Sequence, residues 1–181
     1  FEESAAVPLI MAGPDVPAGK TVSTLTSLVD SAPTIMECVG AKPAPADATL
    51  PGRSLFEIAA GADSERTAFS EYHAAASMTG TFMLRDGNYK LVYFVGMEPE
   101  LFDLDADPAE TRNLAALPEF ADVLARMTAS LRDICDPEEV DRHARADQAA
   151  TIAKHGGREE LLKRGDFGYS PAPGQKPEFS A

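Results

Sequence analysis

His73 is the residue best suited to chemistry near neutral pH, because an imidazole can donate a hydrogen bond to an anion's oxygen or relay a proton. It closes the run Arg66-Thr67-Ala68-Phe69-Ser70-Glu71-Tyr72-His73, which reads as a strand, and opens Ala74-Ala75-Ala76-Ser77-Met78-Thr79-Gly80. The small side chains of that loop let a ligand approach the backbone closely. His73, with Glu71 and Tyr72 beside it, is a candidate for contact with a bound ligand, and none of the three is assigned as a nucleophile. The alternative for His73 is a structural one, a partly buried ring bonded to a backbone carbonyl. His143 and His155 stand among charged or helix-terminal neighbours and read as solvated. His155, next to Gly156, suits a helix C-terminus, where the macrodipole favours a cation.

Other side chains of chemical interest read as structural. Asp103, Asp105 and Asp107 give a D-x-D-x-D spacing like that of a calcium loop, but Pro108 occupies the position where such a loop needs glycine, and its closing glutamate is missing. Turn and cap chemistry is the reading, with Asp107 as a helix cap, Pro108 at the first helical position and Glu110 three residues past the cap. Cys38 and Cys135 lie far apart in unlike contexts and suggest neither a disulfide framework nor a zinc site. Arg53 and Lys90, single basic residues on a loop and a strand, are expected to be solvated. No catalytic and no metal-ligating residue is assigned within this sequence.

The elements that must position these residues have clear signals. Thr81 to Arg85 and Tyr89 to Phe94 are rich in β-branched and aromatic residues, and Asp86-Gly87-Asn88 between them supplies a tight reversal, so an antiparallel hairpin is predicted. Leu101 to Leu104 follows as a third short strand. From Pro118 onward, Phe120, Val123, Leu124, Met127, Leu131 and Ile134 recur at helical spacing and should lie across the small sheet. Before the hairpin, Ala6 to Met11 reads as a short apolar strand of a larger sheet. Ser27 caps a helix with Asp30 three residues on, Leu28, Ile35, Met36 and Val39 give it an apolar stripe, Pro33 bends it and Gly40 ends it. Ala41 to Pro51 is a surface loop. After the amphipathic helix, Asp136-Pro137-Glu138-Glu139 starts a mostly polar helix that Gly156-Gly157 ends, followed by a short helix from Arg158 to Arg164. The tail from Asp166 to Ala181 carries Phe167, Tyr169 and Phe179 among prolines and reads as an extended arm packing on the same or another subunit.

Composition bounds the function classes. The 181 residues are 44% hydrophobic and 25% charged, which is ordinary for a globular chain able to bury a core. No apolar run reaches the roughly 20 residues of a membrane-spanning helix. A formal net charge of −13 repels phosphate backbones, so nucleic acid is not an expected partner.

Several phrases, taken in order, carry a family resemblance. They are Phe1-Glu2-Glu3-Ser4, then Val7-Pro8-Leu9-Ile10 with Gly13-Pro14, then Ser27-Leu28-Val29-Asp30-Ser31-Ala32-Pro33-Thr34, then Leu50-Pro51-Gly52-Arg53-Ser54-Leu55, and finally the hairpin with Glu100 to Ala115. This sequence resembles the closing section of sulfatases of the alkaline phosphatase superfamily. The resemblance implies an α+β chain: the C-terminal segment of an alkaline-phosphatase-like α/β domain, a small antiparallel sheet with a packed helix, and a helical, extended tail. The expected parts are residues 1–65 ending the catalytic domain, residues 66–135 as the sheet subdomain, and residues 136–181 as tail and arm.

By the same resemblance, the parent cleaves a small-molecule sulfate monoester. Its nucleophile is a formylglycine made from an upstream cysteine, and a divalent metal, calcium, holds the sulfate. Neither Cys38 nor Cys135 has the following Pro and Arg of the C-x-P-S-R type motif, and the family's metal-binding Asp pairs are missing. The fragment alone is thus expected to be inactive and to bind no metal. The resemblance also implies a homo-oligomer built through the tail, and it places the loop after His73 at the active-site mouth. Choline-specific members carry an acid shortly after this strand where Ala74-Ala75-Ala76 stands here, which counts against a choline ester. Two alternatives stay open: a phosphonate monoester or phosphodiester hydrolase of the same superfamily, and a non-catalytic oligomerisation module. The compartment, cytoplasmic or periplasmic, is not assigned.

Overall fold

The computed structural model describes residues 1–61, 65–74 and 77–163. The chain divides into two units at Asp136, the first being Phe1–Asp136. At the centre of the first is an antiparallel sheet of β1 (Thr67–Tyr72), β2 (Thr81–Asp86), β3 (Tyr89–Phe94) and β4 (Glu100–Asp103), in sequence order. The expected hairpin is present, with Gly87 at φ 58° in the reversal. Asn88 acts differently from expectation. Its backbone is not left-handed; its side chain donates to Asp103 Oδ1 at 2.8 Å, and its carbonyl accepts from the Leu104 amide at 2.8 Å. The turn thereby ties the hairpin to the far end of β4.

Register sorts the sheet into two faces. Phe69, Leu84, Leu91 and Leu101 stand opposite one another across all four strands, and the three leucines are fully buried. Helix α4 (Ala121–Ile134) covers this face with buried Met127 and Leu131. It is pinned by an Arg126–Asp86 ion pair and by Arg132, whose guanidinium sits 5.6 Å from the centre of the Tyr93 ring. Each fully buried apolar side chain contributes roughly 1.5–3 kcal/mol. The other face carries the row Ala68, Arg85, Lys90 and Phe102.

Four expectations are corrected. Ala6 to Met11 is irregular and exposed, with Ile10 at 89%. Apolar composition alone cannot make a strand, because a strand needs a neighbour to pair with, and no strand pairs with this segment among the described residues. The apolar stripe of Leu28, Ile35 and Val39 is likewise exposed, while Asp30 and Thr34 are buried. Pro33 does not bend the helix: it lies in the first turn of α2 (Ser31–Cys38), where its missing amide costs no helical bond. Asp107 to Glu110 does not begin a helix either, for reasons given below.

Short helices α1 (Glu2–Ala5) and α3 (Leu55–Ala60) complete the first unit. The second unit holds α5 (Pro137–Lys154), ended by Gly156 and Gly157 at φ 91° and 90°, and α6 (Arg158–Lys163). Arg145 pairs with Asp141 at 2.7 Å and Arg142 with Glu139, one helical turn apart in each case. The arm from Asp166 to Ala181 lies outside the described residues.

Candidate functional site

Strand geometry separates the three candidate contact residues. Side chains alternate along β1, so Glu71 and the residue just past its end, His73, share one face while Tyr72 takes the other. Glu71 Oε2 lies 3.8 Å from His73 Nε2. The imidazole meets Phe82 edge-on, with centroids 5.3 Å apart, and the side chain is 18% exposed. Such a pair can orient a hydroxyl or pass a proton between its members. Tyr72 is opposite Thr81 in the register and borders a concavity of about 480 Å³ with Ser77, Met78, Thr79, Thr81, Phe94 and Met97. The structure thus brings Glu71 and His73 together and sends Tyr72 to a separate surface. The hydroxyls of the loop hold its own shape: Ser77 Oγ donates to the Thr79 carbonyl at 2.5 Å, and Thr79 Oγ1 donates to the Val95 carbonyl at 2.9 Å. Ala75 and Ala76 lie outside the described residues.

The D-x-D-x-D acids are committed elsewhere. Asp103 Oδ1 accepts from the Asn88 side chain and from the amides of Asp105 and Ala106, which holds its carboxyl below the ordinary value, the Asn88 bond being the largest cause. Asp107 accepts from Thr111 Oγ1 at 3.0 Å and from the Arg112 amide at 2.8 Å, which closes a loop of five residues in place of a helix cap. No helix follows because Glu110 is left-handed, at φ 52°. That conformation is uncommon without glycine. It turns the side chain inward, where Glu110 is buried. Among the described residues no group of three or more His, Cys, Asp or Glu side chains could hold a metal ion. The metal implied by the resemblance does not fit the residues present here.

Lys90 departs most from expectation. It is 1% exposed and sits between two carboxylates, Glu110 Oε1 at 2.7 Å and Glu2 Oε1 at 3.0 Å. Glu2 Oε2 also meets Arg85 Nη1 at 3.0 Å, and the Glu2 amide donates to Glu110 at 2.5 Å. Phe1 packs on Phe102, centroids 6.4 Å apart. Burial raises the Glu110 pKa, but the Lys90 hydrogen bond, the Glu2 amide and nearby positive charge outweigh it, and the carboxyl is held below its ordinary value. The first residues of the chain are thereby clamped onto the polar row of the sheet. A sequence signal was available: Lys90 is a lone cation between Tyr89 and Leu91 in an apolar strand.

A second buried pair joins the other resemblance phrases. Asp30, fully buried, receives Arg66 in a two-pronged contact at 2.8 and 3.0 Å and accepts from the amides of Arg53 and Ser27. Burial opposes its ionisation, yet the Arg66 hydrogen bond, the two amides and the Arg66 charge together lower its pKa. The Ser27 amide bond to Asp30 matches the expected capping arrangement. Thr34 Oγ1 donates to the Asp30 carbonyl and accepts from the Leu55 amide, and Ser54 caps α3 while donating to Glu37. The phrase Leu50 to Leu55 is therefore a clasp around Asp30. Arg53 is exposed as expected and contributes its backbone amide.

Comparisons with known proteins agree with these features. The family profile described as N-sulphoglucosamine sulphohydrolase, C-terminal, matches residues 1–137. Arylsulfatase K of Danio rerio is 35% identical over 151 residues, covering 78% of this chain and 28% of the relative. Choline-sulfatase of Rhizobium meliloti (strain 1021) is 37% identical over 154 residues, covering 82% and 30%. Among solved structures, a protein in complex with its substrate D-glucosamine-2-N,6-O-disulfate superposes with a TM-score of 0.58 at 26% identity, covering 66% of this chain and 26% of that one. A phosphonate monoester hydrolase from Silicibacter pomeroyi gives 0.56 at 27% identity, covering 67% and 27%. The chain spans less than a third of the length of these relatives.

Proposed function

The chain belongs to the C-terminal family of N-sulphoglucosamine sulphohydrolase, and from that membership we propose that it completes a hydrolase cleaving sulfate monoesters of small molecules. The observation carrying this reading is the profile match across residues 1–137, joined by curated relatives that are both named as sulfatases. In this reading the reactive half precedes Phe1. It supplies a formylglycine nucleophile, made from a cysteine, and a divalent metal of calcium type whose charge stabilises the sulfate oxygens.

Residues 1–65 then finish the catalytic domain, residues 66–135 form a sheet subdomain against it, and residues 136–181 serve homo-oligomer assembly. Glu71 and His73 act as one polar pair that orients the ester at the mouth, a contact that Tyr72, on the opposite face of β1, does not share. The committed acids and the buried Lys90 support placing nucleophile and metal outside this chain.

The likeness to a phosphonate monoester hydrolase favours a second reading, that the substrate is a phosphonate or phosphodiester. Steady-state turnover of the complete protein on 4-nitrophenyl sulfate, phenyl phosphonate 4-nitrophenyl ester and bis(4-nitrophenyl) phosphate separates the two. A kcat/KM highest for the sulfate supports the first reading. A ratio favouring either phosphorus ester replaces it with the second.

A further inference from the structure

We propose that the Glu2, Lys90 and Glu110 cluster is a positioning device that couples the C-terminal sheet to the reactive half of the protein. The inference rests on the reading that this half precedes Phe1. Three observations carry it. First, Lys90 is almost fully buried, and both carboxylates on it come from outside the sheet, one from residue 2 and one from the left-handed turn after β4. Second, the carboxylate and the backbone amide of Glu2 are both engaged by this cluster and Arg85: the side chain bridges two cations on adjacent strands, and the amide reaches Glu110. Third, α1 buries no residue, while Phe1 is 64% exposed despite its contact with Phe102.

The stretch entering the sheet is therefore held by charge and not by a core of its own. A buried ion cluster is a poor source of net stability, because desolvation offsets most of its attraction, but it fixes geometry strictly. The contacts of Glu2 with Lys90, Arg85 and Glu110 fix its placement over β2 and β3. The peptide leading into Phe1 inherits that placement. Catalysis is sensitive to it, since a misplacement of about 1 Å can cost on the order of a hundredfold in rate. Glu2 and Lys90 are accordingly positioning residues and touch no substrate.

Glu2→Gln in the complete protein tests this, because it preserves shape and leaves the Lys90–Glu110 pair intact. The expected result is a kcat lowered about tenfold with KM unchanged. Amide hydrogen exchange should rise in the peptide preceding Phe1, while exchange in the β2–β3 hairpin stays at the wild-type level. Glu2→Asp should recover part of the rate, and removing the surface pair by Arg126→Ala should leave kcat unaltered. Wild-type kcat in Glu2→Gln, or a loss of rate accompanied by faster exchange in the hairpin, overturns the proposal. If the wild-type protein turns over no ester at all, the functional reading fails, and exchange upstream of Phe1 still decides the coupling: unchanged exchange there overturns it.

Discussion

At the scale of single residues, buried charges decide most. Asp30→Asn removes the buried negative half of the two-pronged contact with Arg66 and should destabilise the first unit by about 3–5 kcal/mol, read as a fall in the denaturant midpoint. The pH dependence follows from the same groups. Asp30 and Glu110 both have carboxyls held below their ordinary values of 3.8 and 4.5. A lowered acid pKa means the unfolded chain binds more protons, so the stabilisation is complete above those values and is lost as pH falls through the folded ones. Thermal stability should be level near neutrality and drop as pH passes below 4.5. In Asp30→Asn the drop should be shallower, which a melting series against pH will show. For the proposed contacts, His73→Ala in the complete protein should raise KM or lower kcat with little change in melting temperature, and kinetics equal to wild type remove that role. At this scale the sequence was only partly readable. The Ser27 and Asp30 capping arrangement could be read from spacing, and a lone cation in an apolar strand singled out Lys90, but its partners could not be read: they lie 88 residues before it and 20 after it.

Elements were more legible, because local chemistry dominates there. The hairpin, β4, the amphipathic α4 and the glycine stop after α5 all follow from patterns within a dozen residues. The failures occurred where tertiary partners decide. Ala6 to Met11 has strand composition and no strand beside it among the described residues, and Asp107-Pro108-Ala109-Glu110 has a helix-start pattern that the pull of Lys90 on Glu110 overrides. The parity of β1 was also available in principle, since alternation alone sets Tyr72 apart from Glu71 and His73. Gly52 shows how an unremarkable loop residue is fixed by packing. A Cβ there would stand 2.2 Å from the Val29 carbonyl oxygen, which is backbone and cannot swing away. Gly52→Ala should cost about 1–3 kcal/mol, measured by chemical denaturation, and loosen the clasp around Asp30.

For the molecule as a whole, the family phrases turn out to be fastenings. The first ties residue 2 to the sheet, and the third and fourth meet at Asp30. They hold surfaces together, and their order along the chain carries the family resemblance. Exposed large apolar side chains are concentrated in residues 1–50, including Val7, Leu9, Ile10, Leu28, Ile35 and Val39. Exposed apolar side chains in that number suit a surface that is covered in the complete protein, as the proposed reading requires. The account is tested most directly by assaying 4-nitrophenyl sulfate with the 181-residue chain and the complete protein side by side, at equal concentration and with calcium present. Turnover by the complete protein and none by the chain alone is the predicted result; sustained turnover by the chain alone would contradict it.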